Sequence, residues 1–172
     1  MTVRHTAIVA LIGAILAWGA PAGAAPPPKG LWATVNICDT AAHPNEMGVR
    51  ASMPGNHTRQ RMFMRFHAQF YNATTKKWFD VKGVGVTGWI KAGSARFRRR
   101  QLGYTFSFKP PPAGMSYVLR GVVDFQWRAR RHRRHRRPRF VVVRTLHANT
   151  KGQHPAPGAD PPRYSSGTCE IR

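Results

Sequence analysis

Residues 61–72, RMFMRFHAQFYN, alternate in chemistry with a period of two. Met62, Met64, Phe66, Ala68 and Phe70 fall on one side of an extended chain, and Arg65, His67 and Gln69 on the other. A helix would scatter those apolar side chains around its axis, so the segment is read as a strand with one face in a core and one in water. YVLRGVVDFQWR (117–128) repeats the pattern, with Tyr117, Leu119, Val123, Phe125 and Trp127 opposed to Arg120, Asp124 and Gln126. Shorter runs of the same kind are LWATVNIC (31–38), MGVRASM (47–53), KWFDVKG, TGWIKAG, GYTFSFKP, FVVVRTLHA (140–148) and the closing TCEIR, punctuated by Gly, Pro and Asn. No amphipathic helical pattern and no internal repeat accompanies them after the first 24 residues. Short, regularly spaced strands with turn residues between them predict an all-β fold, an antiparallel sandwich or barrel of about 7–9 strands.

The opening MTVRHTAIVALIGAILAWGAPAGA differs in kind. A basic start at Arg4, an apolar run from Ala7 to Trp18 and the small residues Ala22, Gly23 and Ala24 predict a signal-peptide helix over 1–24, cleaved near Ala24. That run is shorter than the roughly 20 residues that span a bilayer, and no second one follows, so the mature chain is expected to have no transmembrane segment and to be secreted or extracytoplasmic. APPPKG (25–30) is a proline-rich lead that cannot join a helix. Residues 31–172 are expected to form one domain, since a chain of 172 residues is short for two. The two cysteines, Cys38 and Cys169, both lie in the exported part, where thiols are oxidised, and are predicted to pair. Neither has a neighbouring His or a second Cys at short spacing that would make it a nucleophile or metal ligand. A loop of that size is stabilised by about 4–5 kcal/mol in the chain-entropy picture.

Charge supplies the functional signal. The chain has 28 Lys and Arg against 6 Asp and Glu, a formal charge of +22, yet 42% hydrophobic residues, enough for a core beneath the charge. Most of the cations are Arg, which stays charged and forks onto phosphate, sulfate or carboxylate. The densest block is RARRHRRHRRPR, with Arg128, Arg130, Arg131, Arg133, Arg134, Arg136, Arg137 and Arg139. It stands between two apolar strand-like runs and is read as the loop at the tip of a hairpin. Smaller basic groups occur at Arg59 and Arg61 and in RFRRRQ, with Arg96, Arg98, Arg99 and Arg100.

The order of the runs, the Trp of KWFDVKG, and PPPAGMSYVLRGVVDF, where Tyr117 opens a strand after a Pro and Gly corner, resemble an immunoglobulin or fibronectin type III-like domain over about residues 31–148. Leu119 stands where antibody domains have a Cys, so the resemblance is one of architecture. The chain is also similar to small secreted bacterial proteins of this plan with no assigned activity, and the resemblance implies a fold rather than a chemistry. In an Ig-like sandwich the connections between 47–53 and 61–72, between 87–91 and 102–109, and between 116–128 and 139–148 emerge at one end. The resemblance therefore implies that the three basic groups converge into an anion-binding end, with wall polymer, polysaccharide, lipid headgroup or nucleic acid as ligand classes. The alternative is a structural or protein-interaction domain in which apolar surfaces and sheet edges meet a protein partner and the arginines give solubility.

Enzyme signatures are missing from the sequence. Asp39, Glu46, Asp80, Asp124, Asp160 and Glu170 are scattered without a paired motif, and there is no nucleophile elbow, phosphate loop or zinc signature. No cofactor is expected. Met62, Met64 and His67 are residue types of extracellular copper carriers, but the methionines and the histidine fall on opposite strand faces, which favours core methionines. His132 and His135 sit among eight arginines, which oppose a metal cation, and add charge at mildly acid pH. Phe97, Tyr104, Trp127 and Phe140 flank the basic groups as possible stacking platforms, with core packing the expected role. Asn56 and Asn72 head glycosylation sequons, and NTKGQHPAPGADPPRYSSG is expected to be irregular.

Overall fold

The computed structural model describes residues 27–133, 136–155 and 157–172, with the side chains of 132–138 outside that description. The predicted signal peptide and the start of the lead lie outside the described residues. Those described form nine strands: β1 (Trp32–Thr40), β2 (His43–Pro54), β3 (Arg61–Asn72), β4 (Lys77–Asp80), β5 (Ile90–Ser94), β6 (Arg99–Ser107), β7 (Tyr117–Arg133), β8 (Arg136–Asn149) and β9 (Cys169–Ile171). One 3-10 turn at Gly83–Gly85 is their only helical segment, and no helix among the described residues is long and apolar enough to cross a membrane.

The strands make two antiparallel sheets, one ordered β1-β2-β6 and the other β4-β3-β7-β8, with β5 on the start of β3 and β9 on the start of β7. The alternation that identifies β3 and β7 in the sequence closes the sandwich. Met62, Met64, Phe66 and Ala68 from β3, and Leu119, Val123, Phe125 and Trp127 from β7, meet Met47, Val49, Ala51 and Met53 from β2 in one core. Gly121 lets the sheets approach: a Cβ there would come within 2.7 Å of the Val49 side chain. The irregular segment 150–166 runs back along β1, bonding Ala33, Val35 and Asn36 through the backbone, and covers what would otherwise be an open sheet edge. Cys38 on β1 and Cys169 on β9 are disulfide-bonded across the two sheets, as predicted.

The structure corrects three boundaries that matter for the site. The arginine block is not a loop between a strand ending at Arg128 and one starting at Arg139. Instead β7 continues to Arg133 and β8 begins at Arg136, with Arg130 opposite Phe140, Arg131 opposite Arg139 and Arg133 opposite Arg136. Ladder hydrogen bonds use backbone groups, so a charge run can be strand even where the arginines directly opposite one another repel. Likewise β6 starts at Arg99, ahead of the expected 102, which puts Arg99 and Arg100 in a strand. The strand expected near 87–91 is β5, shifted to Ile90–Ser94.

Candidate anion-binding end

Three connections meet at one end of the sandwich because the registers bring them there. β2 ends at Pro54 opposite Arg99, where β6 begins, and β3 begins at Arg61 opposite both Ser94 of β5 and Arg128 of β7. The turn 55–60 is then locked to the turn 95–98: Gly55 N–H donates to the Arg98 carbonyl, Asn56 and His57 N–H donate to the Ala95 carbonyl, and Ala95 N–H donates to the Gln60 carbonyl. Gly55 is required by space, since a Cβ would fall 1.8 Å from the Phe97 carbonyl oxygen. The Asn56 amide also accepts from the Thr58 hydroxyl at 2.6 Å, so this sequon asparagine shapes its own turn, as Asn72 does by accepting from the Thr75 N–H.

Two basic grooves open here, sharing Arg59 and Arg61 as a ridge. One, of about 430 Å³, runs between that ridge and the root of the β7–β8 hairpin and is lined by Gln60, Ala129, Arg130 and Phe140. The other, of about 320 Å³, lies toward β5, with Lys91, Gly93, Ser94 and Arg96 on its walls. Arg59, Arg96, Arg98, Arg99, Arg130, Arg131 and Arg139 are exposed, and none has a carboxylate partner among the described residues. Their guanidinium groups can each fork onto an oxyanion.

Other arginines of the expected set are already engaged. Arg61 lies over the Phe140 ring at 4.1 Å, Arg100 over Phe97 at 3.9 Å, and Arg128 over Phe63 at 4.2 Å. Arg100 also packs against Gly93, inside the sandwich rim. Arg133, Arg134, Arg136 and Arg137 complete the expected set, with side chains outside the described residues, as are those of His132 and His135. The expectation that the flanking aromatics are core holds for Trp127, which is buried, and fails for Phe97 and Tyr104, which are exposed. Phe97 sits in a turn with no sheet above it, and Tyr104 lies on the edge strand β6.

The six acids are distributed the other way. Asp39, Glu46, Asp160 and Glu170 cluster at the opposite end: Thr40 bonds Asp160, Asn45 N–H donates to Asp39, Ser107 donates to Glu46, and Arg172 N–H donates to Asp39. Asp80 lies on β4 beside Gln69, also beyond the midpoint of β3. Asp124, the remaining acid, is in the middle of the outer face of the six-stranded sheet and is only 5% exposed.

Asp124 is the centre of a cluster that the sequence did not disclose. Arg65 donates to Oδ2 from Nε at 3.0 Å and from Nη2 at 2.6 Å, His67 donates to the same oxygen from Nε2 at 2.9 Å, and His147 donates to Oδ1 from Nδ1. Burial alone would raise this carboxyl, but the hydrogen bonds from His67, Arg65 and His147 outweigh it and hold the group well below the usual carboxylate range. Its partners are remote in sequence and meet through register, Arg65 opposite Asp124 and Asp124 opposite His147. Because His67 is committed to this outer cluster while Met62 and Met64 are fully buried on the inner face, the copper-carrier set is not brought together.

A separate pocket of about 300 Å³ lies over the far part of β8, where Trp32 and His154 stack at 4.4 Å beside Leu31, His147 and Lys151. Burial lowers the pKa of His154, which favours its neutral form. A scan against protein-family models finds none that matches the chain, and no curated protein matches it in sequence.

Proposed function

We propose that the chain is an exported, non-enzymatic binding module of immunoglobulin-like plan whose arginine-rich end takes polyanions. The observation that carries this reading is the polarity of the molecule: three basic segments converge on shared grooves at one end, while four of the six acids lie at the other, Asp80 lies beyond the midpoint of β3, and Asp124 is buried. A solubilising surface would intersperse the two signs, whereas a single-sign end focuses field on an anion. The strand orders β1-β2-β6 and β4-β3-β7-β8 support the Ig-like plan, and the disulfide supports an oxidising compartment.

The test is binding of the mature chain to duplex DNA, a heparin-like polysaccharide, an anionic wall polymer and anionic vesicles, across a salt series. The comparison is a variant carrying Ser at Arg59, Arg98, Arg130, Arg131 and Arg139. Binding to at least one ligand at physiological salt, with affinity lost in the variant, is expected. For duplex DNA the log-log salt slope should flatten by about 0.9 for each phosphate contact removed. Unchanged binding in the variant rejects this end as the site. One observation favours the protein-interaction reading: Val142 and Val143 on β8 are about half exposed, on the outer edge of their sheet. Substituting both with Thr would abolish partner capture under that reading and leave polyanion binding intact.

A further inference from the structure

The last rung joining β3 to β7 is Arg61 opposite Arg128, and beyond it residues 129–133 pair with β8 alone. The arginine block is therefore a two-stranded ribbon standing off the sandwich. Five residues past that rung, at about 3.3 Å each, give a reach of roughly 16 Å. Side chains along it alternate, so Arg128 and Arg130 share one face with Phe140 and Val142, while Arg131 and Arg139, paired across the ribbon, share the other. A flat anionic surface would meet one face and leave the other unused. A groove with phosphates on both walls would meet both.

We infer that the polyanion is double-stranded DNA, and that the β7–β8 ribbon enters its major groove while a phosphate strand lies in the groove between Arg59, Arg61 and Arg130. This rests on the anion-binding reading and names its ligand. The major groove of B-form DNA is about 12 Å wide and 8.5 Å deep and admits a two-stranded ribbon. The described part of the ribbon exceeds that depth, so Arg131 and Arg139 can approach base edges while the sandwich shoulders, with Arg59, Arg96, Arg98 and Arg99, face the phosphates at the groove lips.

Two observations argue against other nucleic acids. A single strand needs several uncovered aromatic rings to stack successive bases, but Trp127 is buried, Phe140 is half-buried under Arg61, exposed Phe97 has one face taken by Arg100, and Tyr104, also exposed, stands opposite Val49 in mid-strand away from the basic end. Double-stranded RNA has a major groove too deep and narrow for side chains to read.

The experiment measures binding of the mature chain, at physiological salt, to a labelled 20-base-pair DNA duplex. The comparison probes are its RNA counterpart, one strand alone, a heparin-like polysaccharide, and the same DNA duplex with glucosylated hydroxymethylcytosines filling the major groove. Plain duplex DNA should bind about tenfold more tightly than any other probe. The triple variant Arg130→Ser, Arg131→Ser, Arg139→Ser should lose that margin and bind plain and glucosylated duplex alike. Replacing the same three residues with Lys keeps the charge and the ribbon, and should retain discrimination between the two duplexes. Equal binding of the native chain to both duplexes, or tighter binding to polysaccharide, overturns the groove model. If either result comes with loss of binding in the Ser variant, the anion-binding end still stands. If the Ser variant binds every probe as the native chain does, both readings fall.

Discussion

At the scale of single residues, Asp124 shows how a charge placed against expectation is stabilised. Its carboxylate lies in a sheet face that also carries Arg65, Arg120 and Arg128, and is held by donors on both neighbouring strands. Asp124→Asn keeps the shape and removes the charge, leaving one neutral acceptor oxygen for Arg65 and two imidazoles and turning an NH2 donor toward a donor. Because Arg65 and His147 still reach solvent, a loss of about 2 kcal/mol in urea unfolding at neutral pH is expected. The folded carboxyl is held below its unfolded value near 3.9, so its contribution is complete above that pH and lost as pH falls through the folded value. The native chain should therefore lose stability on acidification below about pH 4 more steeply than the Asn variant. A matching acid slope in both would remove Asp124 from the account. None of this was readable from Asp124 alone, because Arg65 and His147 are 59 and 23 residues distant and only strand register brings them near.

At the scale of elements, legibility followed the source of the order. The bounds of β3 are those of its alternating run, because period-two chemistry is what closes a two-sheet core. The arginine ribbon was hidden because its order comes from backbone pairing with a neighbour and leaves no apolar trace in the side chains. The convergence of basic segments was legible only through strand order, while the two grooves and the capped aromatics depend on side-chain contacts that no composition reveals. The turns 55–60 and 95–98 carry a sharp test. Gly55→Ala would drive a methyl into the Phe97 carbonyl, which belongs to backbone and cannot swing aside. A cost of about 1–3 kcal/mol is expected in thermal or urea unfolding. Polyanion affinity should also fall, because Arg59 and Arg98 are presented by the two turns that must separate. Native affinity in a destabilised Ala variant would show that the turns need not be locked together for binding.

At the scale of the whole molecule, the sandwich is charged at one end and stapled at the other. Cys38 and Cys169 enclose 131 positions of sequence separation, and replacing both with Ala should lower stability by up to about 5 kcal/mol, measured by urea unfolding of the oxidised native chain against the variant. A much smaller loss would mean that the reduced unfolded chain retains structure of its own. The staple also has a mechanical meaning. A pull between the proline-rich lead and Arg172 enters the folded body only through β1 and β9 and is handed from one to the other by the sulfur bridge. Strands β2 to β8, and the arginine ribbon with them, lie inside the covalent ring, off the covalent path of the load. Tension on a tethered molecule would extend its leader while the charged end keeps its shape, and only reduction of the bridge would release the roughly 450 Å of slack folded within.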